Sequence, residues 1–276
     1  MTDGFFQGIT PSREMPPEID TGVAHPARVY NYWLGGKDNF AADRVAAEEV
    51  MAVRPGIIGD IRANRTWLRR AVRFLAEEAG IRQFLDIGTG IPTEDNTHEV
   101  AQSIIPAARI VYVDNDPIVL AHARALLSSS PEGKTAYIDA DLREPGMILP
   151  AAAGTLEFGQ PIAVMLVGVL HLIPDEASPA GIIHRLMDAM PPGSYLAITQ
   201  PASDVRRQLV ARGAQAYNAH VVTPQTRRSQ AEVTRFFAGL ELVPPGVVQL
   251  DQWRPDLGNG DEGRDVPAWA GVARKP

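Results

Sequence analysis

Phe84-Leu85-Asp86-Ile87-Gly88-Thr89-Gly90 is an apolar strand that carries a carboxylate and breaks at once into two glycines. Phe, Leu and Ile suit a parallel strand buried on both faces, and the glycines let the chain turn sharply with a ligand lying close to its backbone. A carboxylate on such a strand is costly unless a partner meets it. The segment therefore predicts an α/β chain with an open, mostly parallel sheet and a nucleotide-type ligand at the strand end. A second apolar strand, Ile110-Val111-Tyr112-Val113-Asp114, also ends in acid, with Asp114 standing 24 residues beyond Gly90. In strand–helix–strand units that hold nucleosides, the acid ending the second strand accepts hydrogen bonds from ribose hydroxyls.

The details separate two cofactors. The nicotinamide fingerprint G-x-G-x-x-G needs a third glycine where helix meets strand, but Gly88-Thr89-Gly90-Ile91-Pro92-Thr93 places Thr93 there. This disfavours an NAD(P)-dependent oxidoreductase. S-adenosylmethionine carries an ammonium group and no pyrophosphate, so an acid just before the glycines suits it better. In Tyr137-Ile138-Asp139-Ala140-Asp141-Leu142 one acid can accept from an adenine amino group while Leu142 packs on the ring. The residues alone leave both Asp139 and Asp141 open for that place.

These stretches, with Val113-Asp114-Asn115-Asp116-Pro117 and above all Ala24-His25-Pro26-Ala27-Arg28-Val29-Tyr30-Asn31-Tyr32-Trp33-Leu34-Gly35-Gly36-Lys37-Asp38-Asn39-Phe40, resemble a bacterial family of S-adenosylmethionine-dependent methyltransferases long classed as a domain of unknown function. The similarity runs from about Thr21 to the C-terminus, through Asn64-Arg65, Pro92-Thr93 and Trp253-Arg254-Pro255. The resemblance implies a Rossmann-like seven-stranded methyltransferase sheet, mostly parallel, with the last strand antiparallel and inserted beside the fifth. It implies S-adenosyl-L-methionine as cofactor and favours Asp141 over Asp139. The expected cofactor-binding residues are Asp86, Gly88, Thr89, Gly90, Asp114, Asn115, Asp141 and Leu142, joined from the N-terminal motif by Arg28, Tyr30, Gly36 and Lys37. It leaves the methyl acceptor open.

Three regions are expected: an arm over 1–20, a helical cap over 21–80 and a Rossmann-like core over 81–276, with cap and core in one compact domain. The arm carries Pro11, Pro16 and Pro17 with little periodicity. In the cap, apolar residues recur at helical spacing, broken at Gly35-Gly36 and Pro55-Gly56, and the last helix spans roughly 61–79. Strands are expected over 82–87, 109–114, 135–139, 161–169 and 194–199, and helices beginning near Asn96, Pro117, Pro145 and Ser178. Ser178-Pro179 forms an N-cap and first-turn pair. Helices near 203–212 and 229–238 and strands over 246–252 and 268–274 complete the chain.

Composition narrows the chemistry. The chain has 276 residues, 45% of them hydrophobic, and no cysteine, which excludes disulfides, thiolate zinc sites and cysteine nucleophiles. A net charge of −7, with a pI near 5.4, argues against nucleic acid as a partner. The longest apolar run, 162–173, is too short to span a bilayer, so no membrane association and a cytoplasmic location are expected. His25, His98 and Asp175 lack the spacing of a helical metal site, and no metal is expected.

Methyl transfer starts from an activated donor, so a base is optional. His171, after the fourth strand, is the candidate base because that strand end normally faces the methyl group in this fold and histidine titrates near neutrality. Tyr30, Tyr32, Trp33 and Phe40 can roof the cofactor; Arg28, Lys37, Arg65 and Arg70 are cationic candidates for its carboxylate, Arg65 and Arg70 reading more simply as surface charges. The leading expectation is a methyltransferase acting on a small-molecule acceptor by in-line transfer. A non-catalytic S-adenosylmethionine-binding regulator is the alternative of another class.

Overall fold

The computed structural model describes residues 19–119, 121, 129–221, 223–256 and 265–276. Most of the expected arm and the body of the helix expected from Pro117 lie outside the described residues.

Three helices open the described chain: α1 (Pro26–Trp33), α2 (Ala41–Val53) and α3 (Ile57–Glu77). Pro26 occupies the first turn of α1, where its missing N–H is no loss. The α1–α2 turn explains much of the N-terminal motif. Gly35 holds a φ of 84°, and a Cβ on Gly36 would lie 2.2 Å from the Asn31 Nδ2. Asn31 Oδ1 accepts from the Asp38 N–H at 3.1 Å and from Asn39 Nδ2 at 3.0 Å. Asp43, fully buried at the start of α2, accepts from the backbone N–H of His25 and of Phe40, each at 2.8 Å, and pairs with Arg28 Nε at 3.2 Å. Arg28 also donates to the carbonyls of Asp20 and Val23 and lies over the Phe40 ring.

The sheet contains β1 (Gln83–Ile87), β2 (Arg109–Asp114), β3 (Lys134–Asp139), β4 (Ala163–Val167), β5 (Tyr195–Pro201), β6 (Glu241–Leu242), β7 (Val248–Gln249) and β8 (Ala268–Arg274). Their order is β3-β2-β1-β4-β5-β8-β6, with β7 also on β8. The first five strands are parallel, and β8 runs antiparallel beside β5, as in the pair Ala197↔Val272. Eight strands appear among the described residues instead of seven, because two short strands both pair with β8. The expected strand over 246–252 shrinks to β7, and Leu250–Gln252 forms a 3-10 turn instead.

Alternate residues along each strand face opposite layers. Leu85, Val111, Val164 and Ile198 pack against Ile148 of α5 (Pro145–Ala152) and Ile182 and Leu186 of α6 (Pro179–Asp188). Phe84, Ile110, Met165 and Ala197 pack against Trp67, Ala71, Val72 and Leu75 of α3. Thus α3 belongs to the cap by sequence and to the sheet by packing. Tyr217 of α7 (Arg207–Asn218) packs with Trp33, Ala46, Val50 and Ile57, closing the cap from the other side.

Several boundaries differ from the sequence reading. Helix α3 begins at Ile57, directly after the Pro55-Gly56 break, because Ile57 is buried against the cap. Ser178 stands at the N-cap of α6 but in the left-handed region (φ 53°), and its side chain makes no capping hydrogen bond. Strand β4 ends at Val167, where Gly168 (φ 71°) turns the chain into a 3-10 turn over Leu170–Leu172. The helix expected near 203–212 is α7, displaced toward the C-terminus, and α8 (Gln230–Arg235) is shorter than expected. Among the described residues, no helix is long and apolar enough to cross a membrane.

Candidate active site

The order of strands reverses at β1, which lies between β2 and β4, and a ligand crevice belongs at the carboxyl ends there. A crevice of about 270 Å³ opens at that place, beneath the cap. Asp86, next to last in β1, is almost fully buried and accepts from Thr97 Oγ1 of α4 (Thr97–Ile104) at 2.6 Å. Burial pushes its carboxyl up to about 6, against the lowering effects of the Thr97 hydroxyl and the Arg65 charge. A cation arriving beside it would relieve that burial.

The two glycines do different things. Gly88 (φ 75°) donates to the Val113 carbonyl at 2.7 Å, and a Cβ there would lie 2.3 Å from the Val169 side chain. Gly90 (φ 66°) donates to Asp114 Oδ2 at 2.9 Å, and among the described residues nothing comes within 4 Å of its missing Cβ. One glycine closes strand packing, and the other leaves space beside the crevice.

Asp114, at the end of β2, accepts from the backbone N–H groups of Gly90 and Asp116, both at 2.9 Å. Burial raises its pKa and these two hydrogen bonds oppose the rise. Each carboxylate oxygen retains lone-pair capacity for a further donor. Beyond β3, Asp141 is gripped by Arg143, whose Nε donates to Oδ1 at 2.9 Å and whose Nη2 donates to Oδ2 at 2.5 Å; this pair holds its carboxyl below the usual range. Asn115 Nδ2 donates to the same carboxylate at 3.1 Å, and buried Leu142 lines the adjoining wall. Asp139 is exposed and lies outside the crevice lining.

The other end is made by the cap and the tip of β4. Tyr30 Oη accepts from Asn64 Nδ2 at 3.1 Å, and burial raises the phenol's pKa. Arg65 ties α3 to the loop after the glycines by donating to the carbonyls of Glu94 at 2.7 Å and Asp95 at 3.1 Å. His25 lines the crevice with its Nδ1 2.7 Å from Asp116 Oδ2. His171, in the turn after β4, faces the same space, and burial, with Arg227 and Arg228 nearby, lowers its pKa to about 4. A buried carboxylate, a second at the tip of the neighbouring strand, a third beside an apolar wall and an open glycine are a donor and acceptor set whose chemistry fits an adenosyl sulfonium ligand.

The sequence profile of the S-adenosyl methyltransferase family matches residues 12–276. The chain belongs to that family. The protein is an S-adenosyl-L-methionine-dependent methyltransferase, and S-adenosyl-L-methionine is its cofactor. A DUF574 family protein from Streptomyces avermitilis MA-4680 has a similar structure at 48% identity and a TM-score of 0.90, over 94% of this chain and all of that one. A protein from Thermobifida fusca YX assigned as a methyltransferase matches at 42% identity and a TM-score of 0.87, over 96% of this chain and 99% of the other. The mitomycin 7-O-methyltransferase MmcR shares the fold alone, at 17% identity and a TM-score of 0.51, over 94% of this chain and 74% of that one. A search of curated protein sequences gives no match.

Within this methyltransferase, Asp86, Gly88, Thr89, Gly90, Asp114, Asn115, Asp141, Leu142 and Tyr30 gather around one crevice, whereas Arg28, Gly36 and Lys37 do not line it. Arg28 is spent on Asp43, Gly36 makes room for Asn31, and Lys37 is exposed. Of the aromatic roof, Trp33 lines the space, Tyr32 bonds to Glu48, and Phe40 sits under Arg28. Arg70 is not a surface charge: it is buried and donates to the carbonyls of Leu250 at 2.6 Å and Trp253 at 3.3 Å. The near-neutral titration that recommended His171 as a base is removed by its burial.

The sequence reading missed Tyr112 and Tyr137. They are register partners in line with Asp86 across β1, β2 and β3, stack at 5.3 Å and line the crevice. Tyr112 Oη also accepts from the His98 N–H at 2.8 Å, fixing the start of α4. Their signal was a tyrosine at matching depth in two neighbouring strands. Among the described residues no group of three or more acidic or histidine side chains could hold a metal ion.

Proposed function

We propose that this methyltransferase acts on a small-molecule acceptor by in-line displacement, with the acceptor seated between the cap and the tips of β4 and β5. The observation that carries the reading is continuity. The space lined by Asp86, Asp114 and Asp141 is also lined by Trp33, Tyr217 and His171, so donor and acceptor positions share one crevice roofed by helices. A net charge of −7 gives no electrostatic support for a nucleic-acid acceptor.

When bound, S-adenosyl-L-methionine supplies a methyl group already activated on a sulfonium. In this reading Asp86 and Thr97 hold its ammonium end, Arg65 stands near for its carboxylate, Asp114 takes the ribose hydroxyls, and Asp141 with Leu142 takes the adenine. Tyr30 and Trp33 exclude water from the junction. The chain's remaining contribution is alignment, which by itself accounts for much of a displacement rate. His171, neutral at pH 7, serves the acceptor as a hydrogen-bonding group and not as a strong base.

The test is release of S-adenosylhomocysteine over a panel of small hydroxyl, amine and carboxyl acceptors, with Asp86→Ala as control. Turnover with at least one acceptor, absent from the control, is the expected result. Turnover confined to protein or nucleic-acid acceptors would overturn the small-molecule assignment.

A further inference from the structure

The N-terminal motif carries a histidine that the fold explains only in part. His25 stands at the N-cap of α1, where its backbone N–H donates to Asp43 at 2.8 Å and its carbonyl accepts from the N–H groups of Arg28 at 3.1 Å and Val29 at 3.0 Å. Any residue but proline could make these bonds. The imidazole is turned to another use: it lines the crevice, with Nδ1 2.7 Å from Asp116 Oδ2.

Asp116 is placed to hold that ring. Its side chain is only 5% exposed, its Oδ1 accepts from the Ile118 N–H at 2.9 Å, and its own N–H donates to Asp114 at 2.9 Å. Burial pushes the Asp116 carboxyl up, but the His25 contact, the Ile118 N–H and the Arg28 charge outweigh it and keep the group anionic. Such a partner draws the imidazole proton to Nδ1 and fixes the tautomer. The ring is not buried along with its partner. The His25 side chain is 36% exposed, the nitrogen turned into protein is Nδ1, and Nε2 has no hydrogen-bond partner among the described residues. The edge bearing Nε2 is therefore the part left to meet a ligand. It stands beside Asp114, whose carboxyl feels the His25 charge. A ribose offers two adjacent hydroxyls, each both donor and acceptor, whereas an ionised aspartate only accepts. An imidazole nitrogen complements a hydroxyl in either protonation state, accepting when neutral and donating when charged.

We propose that His25 is a cofactor-binding residue supplied by the cap: its Nε2 meets a ribose hydroxyl of S-adenosyl-L-methionine beside Asp114, and Asp116 is the positioning residue that aims it. The inference rests on the ribose reading of Asp114 and extends that site onto α1. His25 at one end of α1 and Trp33 at the other line the same crevice, so the helix that holds the nucleoside also walls the space proposed for the acceptor.

The experiment is calorimetry of the full chain with S-adenosylhomocysteine and with its 2′-deoxy and 3′-deoxy analogues. His25→Asn sets an amide N–H near the place of Nδ1, keeping a partner for Asp116, and has nothing at the place of Nε2; the longer His25→Gln reaches toward Nε2. His25→Asn is expected to melt with the parent and to lose about fivefold to tenfold in S-adenosylhomocysteine affinity. Against the analogue that lacks the hydroxyl held by His25, the same variant should lose nothing relative to the parent, and His25→Gln should recover most of the affinity. Should His25→Asn fail to fold, His25→Ala carries the same comparison of ligands. A histidine that merely pins the cap to the sheet would leave the affinity of His25→Asn unchanged or lower it equally for all three ligands, and either result overturns the proposal. Asp114→Ala is measured in the same series. A loss there with none in His25→Asn sinks this proposal alone, whereas no loss in Asp114→Ala removes the ribose reading and this inference with it.

Discussion

At one end of the crevice Asp86 and Asp114 stand at the tips of hydrogen-bonded parallel strands, with Asp141 just past the third, whereas at the other end Trp33, Arg54, His171 and Tyr217 arrive from separate segments. The first arrangement follows from strand register, since Ile87↔Val113 and Asp114↔Asp139 bring the strand ends to one level whatever else the chain does. The second exists only once α2, α3 and α7 have packed. The end proposed for the cofactor is therefore a property of the sheet, and the end proposed for the acceptor a property of tertiary assembly.

The contrast between Gly88 and Gly90 should break first. Gly88→Ala meets the Val169 side chain in a positive-φ conformation and should cost about 3 kcal/mol or more in denaturant unfolding. Gly90→Ala meets nothing and should cost only its backbone strain, about 1 kcal/mol, while weakening the cofactor. Equal losses of stability would mean that the two glycines do not divide the work as described.

Asp86 supplies the next largest effect and has a worked sign. Its carboxyl lies near 6 in the folded chain against an ordinary 3.8, so the folded state holds the proton more tightly. The stability this lends is full below pH 3.8 and lost as pH rises through 6. At pH 7.5, Asp86→Asn should therefore stabilise the cofactor-free protein by on the order of 1–3 kcal/mol while losing the cofactor. In the parent, cofactor affinity should be flat above pH 7 and fall about tenfold per unit well below pH 6, a slope the variant lacks. A parent affinity independent of pH down to 4 would remove Asp86 from the ammonium position.

The proposed adenosine contacts sharpen the comparison at smaller scale. Calorimetry of Asp114→Ala with S-adenosylhomocysteine should show a loss of about 1–3 kcal/mol, the cost of unpaired polar groups. Asp141→Asn should lose about 1 kcal/mol, and exposed Asp139→Asn less than about 0.5 kcal/mol. A larger effect at Asp139 would reverse the choice between them.

The same division explains what could be read from the sequence. The β1 and β2 boundaries and the strand-tip acids rest on local pattern and turn chemistry, with apolar residues such as Phe84 and Ile110 buried as that pattern requires, whereas the antiparallel place of β8 is implied by the family resemblance and not by any local pattern. Ser178 and Pro179 take the N-cap and first-turn places read from the sequence, but the turn Asp175–Ala177 before them sets Ser178 in the left-handed region, where its side chain makes no capping hydrogen bond. Arg28, Arg54, Arg70 and Arg227 look alike in sequence, and only their surroundings distinguish one locked on Asp43, one paired with Asp60, one bonded to the Leu250 and Trp253 carbonyls and one that donates to the Val210 carbonyl with no counterion among the described residues. The burial of His171, which decides its protonation, comes from segment 225–228 folding back on the β4 and β5 tips through Thr226 and Gln200. No local pattern encodes that return.

A crystal structure of the full chain grown with S-adenosylhomocysteine reads the central claim directly. The account predicts the amino group against Asp86, the ribose hydroxyls against Asp114, the adenine on Leu142 beside Asp141, and the sulfur turned toward the space between Tyr30 and His171. Adenosine bound elsewhere, or these three aspartates turned away from the ligand into protein contacts, would contradict it.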